Sequence, residues 1–134
     1  MTTDAHAAFA ALGARSFVAL TTFRRSGDAV ATPVWLVGDA GDLLVMTGSA
    51  SGKVKRIRHD PRVTLVPCNR RGVVAEGASA VAGRATVLTD PIELQRVRRG
   101  LAGKYGLQYR VFTLIQRIVA RRSAPSVVIR VSAA

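Results

Sequence analysis

The sequence predicts a sheet-dominated α+β domain. Three observations lead there. Apolar and polar residues alternate with a period of two through the first half of the chain, broken by short turn sequences. Helical spacing is confined to three stretches, near Ser51, Asp90 and Tyr109. The 134 residues suit one domain, and a 49% hydrophobic content is enough for a core without covalent staples. No repeat, linker or low-complexity tract divides the chain, so residues 1–134 read as a single domain.

The elements follow in order. Ser16–Phe23 (SFVALTTF) reads as a strand, and Ser26-Gly27-Asp28 supplies turn chemistry. Val30–Val37 is the next strand, Gly38–Asp42 the next turn and Leu43–Thr47 the third strand, an antiparallel meander. Pro33 cannot donate to a ladder, so its strand should be an edge, carry a bulge or be interrupted there. Ser51 is placed to cap a helix that Pro61 stops. Arg62–Pro67 is a strand, and Val73–Thr89 is one long strand or two, loosened by Gly77 and Gly83. Asp90, Pro91 and Glu93 form a helix start with a capping box, and the helix should reach Gly100 or Gly103. Tyr109–Arg122 sets Val111, Phe112, Ile115, Ile118 and Val119 against Arg110, Thr113, Gln116, Arg117 and Arg121, a helix with one apolar and one basic face. Ser126–Val131 closes the chain as a strand.

Composition narrows the function classes. The single Cys68 excludes an internal disulfide and suits a reducing cytoplasm. No uninterrupted apolar run is long enough to cross a bilayer, so integral membrane association is not expected. Met1–Leu12 has no basic residue and reads as a mobile terminus, not as a signal peptide. The net charge of +12 is unevenly spread: beyond Glu93 there are nine basic residues and no carboxylate. Such a surface attracts polyanions, whether nucleic acid, anionic lipid or a phosphorylated small molecule. Nucleic acid is the weaker reading. Aromatics are 5% of the chain and do not interleave with the basic residues as stacking platforms would. A membrane-surface role for Tyr109–Arg122 is a further reading, beside core or dimer packing of its apolar face.

Catalytic constellations are few. His6, His59 and Cys68 do not cluster as metal ligands, and most acids lie in turns or caps. Arg70 and Arg71 could lower the Cys68 thiol, though a small buried residue at a strand end is the favoured account of it. Any reaction is then expected to use a cofactor's chemistry, with the protein binding and orienting it. The stretch TGSASGKVKRIRHDP (Thr47–Pro61) is the natural place to look. It is not a nucleoside-triphosphate loop: Gly48 and Gly52 are one residue too close, and Val54 replaces the metal-binding hydroxyl. It does put Ser51 and Lys53 at a helix start, where unpaired backbone N–H groups favour a phosphate, with Lys55, Arg56 and Arg58 beyond.

The order strand, turn, strand, then Thr47, Ser51, Lys53 and Asp60-Pro61 resembles the flavin-binding split β-barrel family of pyridoxamine 5′-phosphate oxidase. In that family a Ser-Arg-Lys loop holds the FMN phosphate. Here the arginine beside the lysine is Gly52, and a second arginine, on the preceding strand, falls near Ala31. The wording TPVW…TGSASGKVKRIRHDPRVTL, with Lys104-Tyr105-Gly106, is more similar to the actinobacterial branch that uses the deazaflavin coenzyme F420. The resemblance implies a six-stranded antiparallel split β-barrel with flanking helices, a homodimer, and cofactor in the groove between subunits. Thr32, Pro33, Val34 and Trp35 would lie along the ring. Thr47, Ser51 and Lys53, with Lys55 and Arg56, would hold the phosphate. The implied function is an F420-dependent oxidoreductase acting on an apolar small molecule, with Tyr105 and Tyr109 the only phenols that could donate a proton. An FMN enzyme, a cofactor carrier without turnover and a basic nucleic-acid module are the alternatives.

Overall fold

The structure, a computed structural model, describes residues 2–119 and 125–134; the side chains of residues 2–5, 112, 113 and 116–119 lie outside that description. Its elements are α1 (Thr2–Ala11), a 3-10 turn (Leu12–Ala14), β1 (Val18–Phe23), β2 (Ala29–Val34), β3 (Val37–Asp39), β4 (Asp42–Gly48), α2 (Gly52–His59), β5 (Arg62–Pro67), β6 (Val81–Leu88), α3 (Pro91–Tyr105), α4 (Leu107–Val119) and β7 (Ser126–Ala133).

The strands form one sheet in the order β2-β1-β5-β6-β7-β4-β3, with every pairing antiparallel. The order itself demands curvature. Strands β2 and β3 occupy opposite edges, yet only Trp35 and Leu36 join them. Seven flat strands would put those edges about 29 Å apart, whereas the link reaches roughly 11 Å. The sheet therefore rolls up until its edges approach without pairing, a barrel left open between β2 and β3.

The barrel interior holds Val18, Leu20, Val34, Leu36, Leu43, Val45, Val63, Leu65, Ile129 and Val131, all buried. Helix α1 adds Phe9, fully buried, and the 3-10 turn adds Leu12. Gly83 explains how Phe9 fits: a Cβ there would stand 3.2 Å from the Phe9 ring and 2.9 Å from Val131. That glycine makes room for the ring and does not break the strand. Helix α2 closes one barrel end with Val54 and Ile57. A second cluster lies outside the barrel, where Val97 and Leu101 of α3 and Tyr109 of α4 cover Leu44 and Val128.

Several expectations are revised. The N-terminus is a helix anchored by Phe9, not a mobile tail. The strand expected over Val30–Val37 breaks at Trp35–Leu36, which turns six strands into seven. Leu36 N–H there donates to Tyr105 Oη, and Leu36 O accepts from Lys104 Nζ, so side chains replace the ladder. Pro33 pairs with Ala19 in an uninterrupted edge strand, which decides among its three readings. Of Val73–Thr89, only β6 and an isolated bridge between Cys68 and Val74 are extended and paired. Asp90 caps α3 through the Ile92 N–H, but Glu93 pairs with Arg96 and forms no capping box. Val111 and Ile115 of α4 point to solvent; the side chains of Phe112, Ile118 and Val119, and residues 120–122, lie outside the described residues.

Candidate cofactor site

Cap chemistry organises the start of α2. Ser51 is extended (φ −67°, ψ 153°), and its Oγ accepts from Val54 N–H at 3.4 Å. Thr47 Oγ1, near the end of β4, donates to the same oxygen at 3.3 Å. Thr47 and Ser51 thus hold the end of β4 against the first turn of α2, whose unpaired backbone N–H groups favour an anion.

Two cations stand at that turn. Lys53 is half-buried, and burial first, then the Arg56 charge, pushes its pKa down. Arg56 Nε donates to Thr22 Oγ1 at 2.6 Å, and Thr22 is fully buried on β1. The Arg56 guanidinium lies over Gly52: a Cβ on that glycine would come within 2.6 Å of Arg56 Nη1. Gly52 thus leaves room for the Arg56 guanidinium, which any side chain at position 52 would have to displace. Sequence comparison position by position could not find this, because it depends on the Arg56 rotamer and on Thr22. No ion pair among the described residues engages Lys53, Lys55 or Arg56.

From Gly52 an open groove of about 560 Å³ runs along α2, lined by Phe23, Arg24, Arg25, Gly52, Lys55, Arg56 and His59. Its walls carry four Lys and Arg side chains, one histidine and no carboxylate. Lys53 faces aside from the groove, one residue further round the helix.

The β2 residues divide between two faces. Thr32 stands opposite Leu20 and Val34 opposite Val18, so both side chains take the inner face. Val34 is buried in the barrel core. Thr32 Oγ1 is buried and has no hydrogen-bond partner among the described residues. Pro33 takes the outer face and is exposed, with Gly72 of the β5–β6 loop against it. A flat ring cannot lie on all four side chains. It can lie along the open edge of β2, whose outer backbone groups no strand pairs. Trp35 stacks on Tyr105 at 4.7 Å between centroids and tilts against Phe17 and Tyr109.

Both phenols are committed to packing. Tyr105 Oη accepts from Leu36 N–H and donates to Ser16 O at 2.8 Å, and burial pushes its pKa up. Tyr109 is buried in the second cluster. Burial likewise raises the Cys68 thiol, so the neighbouring arginines do not activate it.

A family model described as pyridoxamine 5′-phosphate oxidase matches residues 2–134. The chain belongs to that family. No curated protein matches it. Among solved structures, the conserved hypothetical protein Rv2991 of Mycobacterium tuberculosis superposes with a TM-score of 0.69 at 20% identity, over 99% of this chain and 81% of that one. HutZ, the heme storage protein of Vibrio cholerae, gives 0.65 at 13% identity, over 90% and 82%. An F420 reductase gives 0.56 at 18% identity, over 94% and 93%. These likenesses establish the split-barrel fold.

Within the pyridoxamine 5′-phosphate oxidase family fold, this chain's residues fit an anionic, flavin-like group on two counts. A desolvated lysine and an arginine converge on a capped helix start without a carboxylate, and a buried hydroxyl on the adjoining edge strand has no partner. One supporting residue escaped the sequence reading. Lys104 Nζ donates to Gly13 O, Arg15 O and Leu36 O at 2.7–2.8 Å, fixing the turn that carries Trp35. The Lys104-Tyr105-Gly106 motif was visible, but its three carbonyl partners lie far away in sequence.

Proposed function

We propose that this protein binds reduced coenzyme F420 and acts as an F420-dependent reductase of an apolar small molecule with an electron-poor double bond. The observation that carries this is the cluster of cations in the carboxylate-free groove, Arg24, Arg25, Lys55 and Arg56, with the desolvated Lys53 beside Arg56 at the helix start. A cofactor with a phosphate and an oligoglutamate tail matches the sign of the groove walls. The F420 reductase among the structural neighbours supports the same choice.

Bound there, the reduced deazaflavin would supply the hydride. The chain's own residues do the rest. Ser51 and Thr47 orient the helix start, and Lys53 and Arg56 neutralise the phosphate. The open edge of β2, with Thr32 beside it, aligns the ring. Lys104 and Tyr105 hold the Trp35 turn rigid. Neither phenol is available as a donor, so the proton comes from water. A homodimer would cover the ring from the partner side.

That shortage of proton donors favours a second reading, a carrier that binds the cofactor without turnover. Titrating the protein with F420, FMN and a DNA duplex at low and high salt, followed by fluorescence, separates the binding readings. Micromolar F420 binding, weakened by salt and about tenfold or more by Lys53→Ala, is expected. Preference for FMN, or DNA as the only ligand, would sink the proposal. Turnover with enones, quinones or tetrapyrroles then distinguishes reductase from carrier. A monomer at micromolar concentration would remove the intersubunit site.

A further inference from the structure

The last two turns of α3 grip the link between β2 and β3 residue by residue. The Tyr105 ring stacks on Trp35, its Oη accepts from Leu36 N–H, and Lys104 Nζ donates to Leu36 O. Gly100 receives Val37: a Cβ on that glycine would stand 2.9 Å from Val37 Cγ1. The same two side chains reach the segment before β1. Lys104 Nζ also donates to Gly13 O and Arg15 O, and Tyr105 Oη donates to Ser16 O. That segment lies close against β3, since a Cβ on Gly13 would come within 3.2 Å of Gly38 Cα. An ammonium has three N–H donors, and here three backbone carbonyls take them. Among the described residues no ion pair includes Lys104, so its charge serves these carbonyls and no carboxylate.

We propose that Lys104 is a positioning residue: its ammonium closes a clasp that sets the opening between β2 and β3, and with it the edge along which the cofactor ring lies. For the ring this rests on the cofactor reading above; for the clasp it rests on the contacts alone. No ladder ties β2 to β3, so the Trp35–Leu36 link between them sets their separation, and α3 holds that link. A neutral side chain of similar length would leave three carbonyls without their charged donor. Leu36 would then be released, Trp35 would slide off Tyr105, and the β2 edge carrying Thr32 would shift. None of these contacts involves α2 or the groove beside it. Loss of the clasp therefore separates ring binding from anion binding.

Trp35 is the single tryptophan, so its emission reports the clasp directly. Lys104→Met should move that emission to longer wavelength and open it to quenching by acrylamide. Affinity for F420 should fall about tenfold, while binding of inorganic tripolyphosphate, which has no ring, stays unchanged. Tyr105→Phe keeps the ring stack and removes the bonds to Leu36 and Ser16. It should move Trp35 emission the same way, and it decides the matter if Lys104→Met does not fold. Unchanged emission and quenching overturn the clasp. Unchanged F420 affinity despite a shifted Trp35 overturns the positioning role. Equal losses of F420 and tripolyphosphate binding overturn it too, because Lys104 then acts on the whole fold. If the unaltered protein binds no F420, the cofactor reading fails instead, and Trp35 emission alone decides the clasp, a shift upholding it.

Discussion

A lysine half withdrawn from water, beside an arginine and without a carboxylate, destabilises the fold that holds it. Lys53 is in that position, with burial and the Arg56 charge both acting against its protonated form. Its folded pKa lies below the unfolded value, so the unfolded chain binds more protons in the window between the two. Stability therefore rises as pH climbs through that alkaline window, and the penalty is fully present below it. Lys53→Met, which keeps the stem and removes the charge, should raise the melting temperature of the ligand-free protein at neutral pH. The same variant should lose about 10- to 100-fold in affinity for a phosphorylated cofactor. Melting curves beside a binding titration check both. A fall in melting temperature would make Lys53 a structural residue and remove its role as a waiting anion site. Arg56 differs, because the buried Thr22 hydroxyl already engages its Nε, leaving the outer nitrogens over Gly52.

Between elements, Arg130 is the joint that holds β7, the β3–β4 turn and α3 together. Its Nε donates to Asp42 at 2.8 Å and its Nη1 to Asp39 at 3.0 Å, while Arg96 of α3 takes the other Asp39 oxygen. The Arg130 hydrogen bond, helped by both arginine charges, holds the Asp39 carboxyl below its usual range. A depressed carboxylate stabilises above the unfolded pKa, near 4, and loses that contribution as pH falls through its folded pKa. Arg130→Met should cost about 1–2 kcal/mol at neutral pH and much less in acid, as urea unfolding at two pH values would measure. Equal costs at both would refute the assignment. This joint also marks the limit of what the sequence discloses. The Ser51 and Asp90 caps were legible because a cap is made by residues within a few positions of each other. The break at Trp35–Leu36 was not, because Lys104 and Tyr105 satisfy its backbone from a distant helix. The helix around Phe9 was missed for a similar reason: its stability comes from burial under Gly83, not from a periodic stripe of its own. Helix α4 was legible as amphipathic, but amphipathicity does not say which side faces the core. The candidate phosphate residues could be marked on the chain, yet the approach of the Arg56 guanidinium to Gly52 is visible only in three dimensions.

Over the whole molecule, the question is what the +12 charge does to stability. Asp39, Asp42, Asp60 and Glu93 are already held by Arg130, Arg96 and Arg62. The α2 groove thus keeps its cations in mutual repulsion, without a carboxylate in its walls. Added salt weakens the existing pairs slightly, since they are partly exposed, and screens the more numerous like-charge contacts. The balance favours the folded state. Raising sodium chloride from about 0.02 to 0.5 M, which shortens the screening length severalfold, should raise the melting temperature by roughly 2–5 °C. Tripolyphosphate should give the same rise at millimolar concentration, because a multivalent anion seated in the groove adds its binding free energy to folding. Lys55→Gln/Arg56→Gln should abolish the tripolyphosphate effect while leaving most of the chloride effect, which comes from the whole surface. If the two salts act only in proportion to ionic strength, the groove is a diffuse field and not a site. If melting temperature falls with chloride, the ion pairs outweigh the repulsion and the charge excess carries no stability cost for a ligand to relieve.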